Sequence, residues 1–138
     1  MTSTFGIRSQ IVAVSGQSSF LHVIQTLLDT LGLTVRRTSD WRAAPGLVER
    51  IRPKLVVLDL VPGQEAECWL ALEAIKARAT TQTIPVLLCP VADWLLAGHE
   101  ARLNQHHVYI WPEGFNLDDL LRTVQVALED HYATPGPG

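Results

Sequence analysis

Short apolar runs alternate with longer amphipathic stretches along the whole chain. In the amphipathic stretch that follows each apolar run, apolar residues recur at the spacing of helical turns, as at Leu21, Ile24 and Leu28. This spacing predicts five helices. The runs themselves are rich in Val, Ile and Leu and predict five strands, at residues 10–14, 33–38, 54–60, 84–90 and 107–111. This alternation predicts parallel strands joined by helical crossovers, which form a three-layer αβα doubly wound sheet.

Capping and helix-breaking residues set the expected helix bounds. Ser18 or Ser19 can cap the first helix, and Gly32 ends it. Asp40 can cap the second helix, which Pro53 stops. The other three helices are expected at 65–79, at 93–103 with a break near Gly98, and at 116–132.

The segment KLVVLDLVPG (54–63) contains a carboxylate at the end of an apolar run. Because this run is apolar on both faces, it predicts a central strand that is covered by helices on each side. Asp59 then lies at the carboxyl edge of the sheet, where doubly wound folds bind their ligands. The candidate site residues at this edge are Ser15, Gly16, Asp59, Pro90 and Trp111.

The composition is that of one globular domain. The chain has 138 residues, 47% of them hydrophobic, and we assign 10–131 to the domain, 1–9 to an N-terminal tail and 132–138 to a flexible tail or linker stub. A net charge of −3 provides no basic field for nucleic acid or for an anionic membrane surface. No apolar run is long enough to span a membrane, so we expect a cytoplasmic protein.

The cysteines and histidines offer weaker signals. Cys68 and Cys89 lie far apart in apolar segments, which favours buried thiols in a reducing compartment over a disulfide. His99, His106 and His107 could suggest a metal site, but adjacent histidines in a strand point to opposite faces. We therefore expect these three histidines to be solvated.

Five segments together resemble the receiver domain of bacterial two-component response regulators. They are GLTV, RPKLVVLDLVPG, IPVLL, YIWP and NLDDLL, and the resemblance covers roughly Gln10 to Asp130. It implies a flavodoxin-like (βα)5 fold with strand order 2-1-3-4-5. It also implies that an aspartate after the third strand accepts phosphate from a histidine kinase, and Asp59 matches that aspartate.

The remaining positions of the family's site differ in this chain. Receivers have an acidic pair after the first strand that holds magnesium, and here these positions are Ser15 and Gly16. The hydroxyl residue after the fourth strand is replaced by Pro90, and the lysine after the fifth by Trp111. A magnesium ion would have Asp59 as its one carboxylate ligand, so we expect no bound cofactor.

These departures predict an atypical receiver domain that has no enzymatic activity and acts as a protein-interaction module without phosphorylation. Its partner would be a histidine kinase or an output protein. Two alternatives remain open: a working receiver that is phosphorylated on Asp59, and a small α/β protein that binds a ligand over Ser15–Ser19.

The surface formed by the fourth helix, fifth strand and fifth helix is rich in apolar residues, including Trp94, Leu95 and Tyr109. In receivers this face commonly binds a partner or a second copy. The sequence therefore predicts an interface here, through which the chain could form a homodimer. The alternative is that these residues close the core.

Overall fold

The sheet has five parallel strands in the order β2-β1-β3-β4-β5, which confirms the predicted fold class. The computed structural model describes residues 10–90, 93–104, 107–111 and 117–132. The strands are β1 (Gln10–Val14), β2 (Thr34–Thr38), β3 (Leu55–Leu60), β4 (Val86–Pro90) and β5 (Val108–Ile110). The predicted tails, apart from Tyr132, lie outside the described residues.

The helices follow the strands in the predicted order. They are α1 (Ser18–Asp29), α2 (Ala44–Ile51), α3 (Glu65–Ala77), α4 (Glu100–Leu103) and α5 (Leu117–Tyr132), with a 3-10 helix at Asp93–Leu96. The predicted break near Gly98 is confirmed, because this glycine has a positive φ of 81° between the 3-10 helix and α4. The stretch 93–103 therefore forms two short helices.

Two helix starts differ from the predicted caps. The N-cap of α1 is Gln17, whose side chain makes no capping hydrogen bond, and helix α2 begins at Ala44. Asp40 accepts hydrogen bonds from the backbone N–H groups of Arg42 and Ala43 and so shapes the turn before α2. At α2 the Asp40 carboxylate bonds the turn before the helix and so does not cap the helix itself.

The core lies in two layers, one on each face of the sheet. All six residues of β3 are buried, as expected for a strand that is covered on both faces. Helices α2 and α3 cover one face, through residues such as Val48 and Leu72. Helices α1 and α5 cover the other face, through residues such as Ile24 and Val124.

Among the described residues, no helix is both long enough and apolar enough to cross a membrane.

Candidate functional site

The strand register brings four of the residues at the carboxyl edge of the sheet into one row. Asp59 of β3 pairs directly with Cys89 of β4. The pairing of β1 with β3 ends one residue before Ser15, and the pairing of β4 with β5 ends one residue before Trp111. Because side chains alternate along a strand, all four point to the face that is covered by α1 and α5. The row is therefore Ser15, Asp59, Cys89 and Trp111, in the order of their strands.

Ser15 and Asp59 form a buried hydrogen-bonded pair in this row. Oγ of Ser15 donates to Oδ2 of Asp59 at 2.6 Å, a short distance that is typical of a bond to an ionised acceptor. The two residues are 0% and 3% exposed. The hydroxyl oxygen of Ser15 also accepts a hydrogen bond from the backbone N–H of Gln17 at 2.9 Å. Ser15 thus joins the loop after β1 to the acid at the end of β3.

Gln64 covers Gly16, the second position where receivers have an acid. A Cβ at residue 16 would collide with both the oxygen and the nitrogen of the Gln64 amide. The indole Nε1 of Trp41 donates to Oε1 of Gln64 at 3.1 Å and so fixes the amide in this place. The space that a side chain at position 16 would need is therefore occupied by a side chain from the loop before α3.

Burial dominates the electrostatics at Asp59. It raises the pKa of this carboxyl above its ordinary value, and the hydrogen bond from Ser15 partly opposes the shift. Among the described residues, no lysine, arginine or histidine forms an ion pair with Asp59. The carboxylate is stabilised by a neutral hydroxyl rather than by a cation.

The two cysteines are buried thiols close to this acid, as their sequence context predicts. Both are free. Burial, with a contribution from the charge of Asp59, raises the pKa of Cys68 to about 12 and the pKa of Cys89 well above its ordinary value. Neither thiol is therefore activated as a nucleophile at neutral pH.

The described side chains at this edge do not fit a magnesium ion. Magnesium prefers several oxygen ligands in octahedral geometry, and it usually binds through carboxylates. Here one oxygen of Asp59 already accepts a hydrogen bond from Ser15, Gly16 has no side chain that could act as a ligand, and the Gln64 oxygen accepts a hydrogen bond from Trp41. Nor does the described part of the chain contain a group of three His, Cys, Asp or Glu residues that could hold a metal.

Pro90 and Trp111 are the other two residues that were predicted at this edge. Pro90 pairs with Leu60 at the end of β4. Trp111 packs against the core layer beneath α1 and α5, and its buried Nε1 has no hydrogen-bond partner among the described residues. An aromatic ring therefore packs into the core at the position that the sequence resemblance aligns with the receiver lysine.

A small apolar cavity lies beside the segment that was predicted to bind a ligand. Its volume is about 280 Å³, and its lining includes Gln17, Ser19, Phe20, Val23 and Trp111. Ser15 lies outside this lining, and its hydroxyl is hydrogen-bonded to Asp59. The cavity thus borders only part of the Ser15–Ser19 segment.

The predicted interface residues differ in exposure. The side chain of Trp94 is 61% exposed, whereas Leu95 is 3% exposed and belongs to the core layer beneath α2 and α3. Tyr109 is partly buried against the opposite layer. Of these three, Trp94 therefore presents most of its side chain to solvent.

His99 is not the solvated histidine that the sequence predicts. Its ring stacks on Trp69 of α3, with ring centroids 4.0 Å apart and an interplanar angle of 16°. The stack attaches the segment between the 3-10 helix and α4 to helix α3. His106 lies outside the described residues, and His107 is partly buried with a positive φ of 65° before β5.

Sequence reasoning missed Gln64 and Trp41, the two residues that fill the space over Gly16. The one available signal was the glycine itself, since an absent side chain leaves room for a neighbour. The sequence does not show which neighbour uses that room.

No protein-family model matches the sequence, and no curated protein matches it significantly. Solved structures do match. The chemotaxis protein CheY4 of Vibrio cholerae is 17% identical with a TM-score of 0.73, over 87% of this chain and 98% of that protein. A response regulator from Desulfuromonas acetoxidans is 16% identical with a TM-score of 0.72, over 90% of this chain and 99% of that one.

The receiver domain of a sensor histidine kinase from Pseudomonas aeruginosa is a third match, and its structure has a magnesium ion coordinated in the active-site cleft. It is 22% identical with a TM-score of 0.69, over 87% of this chain and 97% of that domain. At these identities the similarity establishes the fold. The chain has the fold of response-regulator receiver domains.

Proposed function

We propose that this chain is an atypical receiver domain that acts in two-component signal transduction as a cytoplasmic, non-enzymatic protein-interaction module, without phosphorylation of Asp59. The receiver fold supports the general class. The specific proposal rests on the surroundings of Asp59, where uncharged side chains contact the carboxylate and fill the space beside it. Ser15 hydrogen-bonds the carboxylate, and Gln64 occupies the space next to it over Gly16.

Phosphoryl transfer to a carboxylate needs groups that neutralise the incoming charge. Metal ions and cationic side chains normally supply that stabilisation, and positioning supplies most of the rest. Here the position of the receiver lysine is occupied by Trp111, and the positions of the acidic pair by Ser15 and Gly16. The loss of two such contacts, at about 2 to 4 kcal/mol each, slows the step by about three powers of ten or more.

A surface around Trp94 is suited to the protein partner of this module. An indole that is 61% exposed is costly to leave in water, and tryptophan is enriched at the centres of protein interfaces. The partner in this proposal is a histidine kinase or an output protein, and Trp94 lies in the 3-10 helix that precedes α4. Replacement of Trp94 by serine is expected to weaken that association without destabilising the fold.

Incubation with acetyl phosphate and magnesium, followed by intact-mass measurement, tests the proposal. The expected result is an unchanged mass, while a receiver with a complete acidic pair and lysine gains about 80 Da, the mass of one phosphoryl group. A gain that disappears in the Asp59→Asn variant would instead establish a working phosphoacceptor. The position of Asp59 at the carboxyl edge is the observation that favours this second candidate.

A small-molecule ligand in the cavity beside Gln17 and Ser19 is the third candidate. The cavity volume of about 280 Å³ is the observation that favours it. Thermal-shift measurements with nucleotides and flavins test it, because a ligand at one hundred times its Kd adds about 2.7 kcal/mol to the free energy of unfolding. An unchanged melting temperature across the panel would argue against binding of these ligands.

A further inference from the structure

An apolar groove lies between the N-terminal end of α2 and the first turns of α3. Its volume is about 380 Å³, and Trp41 and Pro45 line one side while Ala66 and Leu70 line the other. Trp41 is 8% exposed and Pro45 is buried. We call this feature the α2–α3 groove.

Leu70 stands out from the apolar residues of its helix. The neighbouring apolar residues of α3, such as Trp69 and Leu72, are buried against the sheet, whereas Leu70 is 65% exposed beside the groove. It is the most exposed large hydrophobic residue in the described part of the chain. A leucine in this position, next to a groove of similar apolar character, is typical of a contact surface.

The two walls of the groove have opposite charges. Arg42 lies on the α2 side and Glu67 on the α3 side, and both are exposed. Within the described residues, neither side chain takes part in a salt bridge. One surface therefore presents an exposed apolar side chain, a groove, a cation and an anion.

Such a surface is complementary to itself. In a two-fold symmetric interface the same patch is used twice, so each residue i that contacts j is matched by j contacting i. A two-fold rotation can place Leu70 of each copy in the groove of the other and set Arg42 of each against Glu67 of the other.

We propose that the α2–α3 groove binds a second copy of this chain and forms a two-fold homodimer. The interface is separate from the Trp94 surface, so the dimer leaves that surface free for the partner in the proposed function. Dimerisation also does not depend on phosphorylation of Asp59. The dimer is therefore a proposal beyond the proposed function, and its failure would leave the proposed function unaffected.

Sedimentation equilibrium over a range of protein concentrations tests the dimer. The wild-type protein is expected to self-associate, and the Leu70→Ser variant is expected to have an association constant at least about tenfold lower. The control is Val126→Ser, which removes another exposed apolar side chain, in α5, and should leave the association constant unchanged. A monomeric wild-type protein, or a loss in Val126→Ser but not in Leu70→Ser, would overturn the proposal.

The charge pair provides a second test that does not depend on the apolar contact. Arg42→Glu and Glu67→Arg are each expected to weaken self-association about fivefold or more, because each homodimer then has two like-charge contacts. An equimolar mixture of the two variants should associate as tightly as wild type, since both contacts in the mixed dimer pair opposite charges. Circular dichroism verifies that each variant is folded. No recovery in the mixture would contradict the proposed contact.

Discussion

The indole Nε1 of Trp41 lies 3.1 Å from Oε1 of Gln64 and fixes the amide of Gln64 over Gly16. These residues belong to three separate loops: after β1, before α2 and before α3. The edge of the sheet is thereby filled by hydrogen-bonded neutral groups around one buried acid. Three predictions test this arrangement and its energetic consequences, and a fourth concerns a buried lysine in α3.

The contact between Gln64 and Gly16 is tested by adding one methyl group. Gly16→Ala is expected to destabilise the fold by about 0.5 to 1.5 kcal/mol, because the end of the Gln64 side chain must move and its hydrogen bond to Trp41 is then lost. Urea denaturation measures the change. A matched control is Gly46→Ala, at an open position within α2 where a Cβ has no neighbour within 4 Å.

Gly46→Ala should stabilise the protein by about 0.5 to 1 kcal/mol, since alanine favours helix more than glycine does. In a Gln64→Ala background, the cost of Gly16→Ala should largely disappear because the obstructing amide is gone. An undiminished cost in that background would show that Gln64 is not the obstruction.

Asp59→Asn is expected to stabilise the protein at neutral pH. Burial raises the pKa of Asp59 in the folded state, so the folded state binds more protons than the unfolded state between pH 3.8 and the raised pKa. Ionisation of Asp59 therefore costs stability as the pH rises through this window, at about 1.4 kcal/mol for each pH unit that the window spans. The asparagine variant avoids that cost while its amide oxygen can still accept from Ser15.

Urea denaturation of Asp59→Asn and wild type at several pH values provides the measurement. The stability advantage of the variant should be largest above the raised pKa and should shrink as the pH falls toward 3.8. An advantage that stays constant over this range would mean that the charge of Asp59 is not its source.

Ser15→Ala removes a hydroxyl that forms two hydrogen bonds. The Asp59 carboxylate loses its donor, and the backbone N–H of Gln17 loses its acceptor. Because Ser15 is fully buried, we expect a loss of about 1 to 3 kcal/mol in the free energy of unfolding and a further rise in the pKa of Asp59.

Thr26→Ala is the comparison for Ser15→Ala. The Thr26 hydroxyl donates to the carbonyl of His22 at an exposed position in α1, so its removal should change stability by less than about 0.5 kcal/mol. Chemical denaturation of both variants measures the contrast, and NMR titration of the Asp59 carboxyl carbon follows the pKa. Equal effects of the two variants would indicate that the buried pair contributes little.

Lys76 is expected to titrate near pH 8. Burial lowers its pKa from 10.5 to about 8, and its Nζ donates to the carbonyls of Gln82 and Ile84 at 3.0 and 2.8 Å. Between these two pH values the unfolded state keeps a proton that the folded state has lost. The contribution of Lys76 to stability therefore increases as the pH rises from about 8 toward 10.5.

NMR titration of the Lys76 side chain measures the pKa. Lys76→Gln lacks the titrating group, so the stability of wild type relative to this variant should increase over the same pH range. A flat difference between pH 8 and pH 10.5 would contradict the assignment.

The fold could be predicted because its signals are local and repeated. Each buried strand is a short apolar run, and β3 is apolar on both faces because helices cover it on both sides. The row of Ser15, Asp59 and Trp111 was predictable for the same reason, since parallel strands end at one edge of the sheet.

The surroundings of that row could not be predicted, because they depend on contacts between loops. Trp41 and Gln64 are 23 positions apart, and no periodic pattern relates them. The stacking of His99 on Trp69 and the burial of Leu95 beside the exposed Trp94 depend in the same way on how the short segment after β4 packs. Such contacts appear only when the elements are assembled.

Trp41 belongs both to the α2–α3 groove and to the hydrogen bond that fixes Gln64. A molecule that seats in the groove and shifts this indole must also strain the amide that rests on Gly16. A change at the outer surface would thus reach the sheet edge through these two side chains. Modification of Asp59 would act in the opposite direction, from the sheet edge outward. One tryptophan and one glutamine therefore connect the outer surface of the domain to the loop after β1.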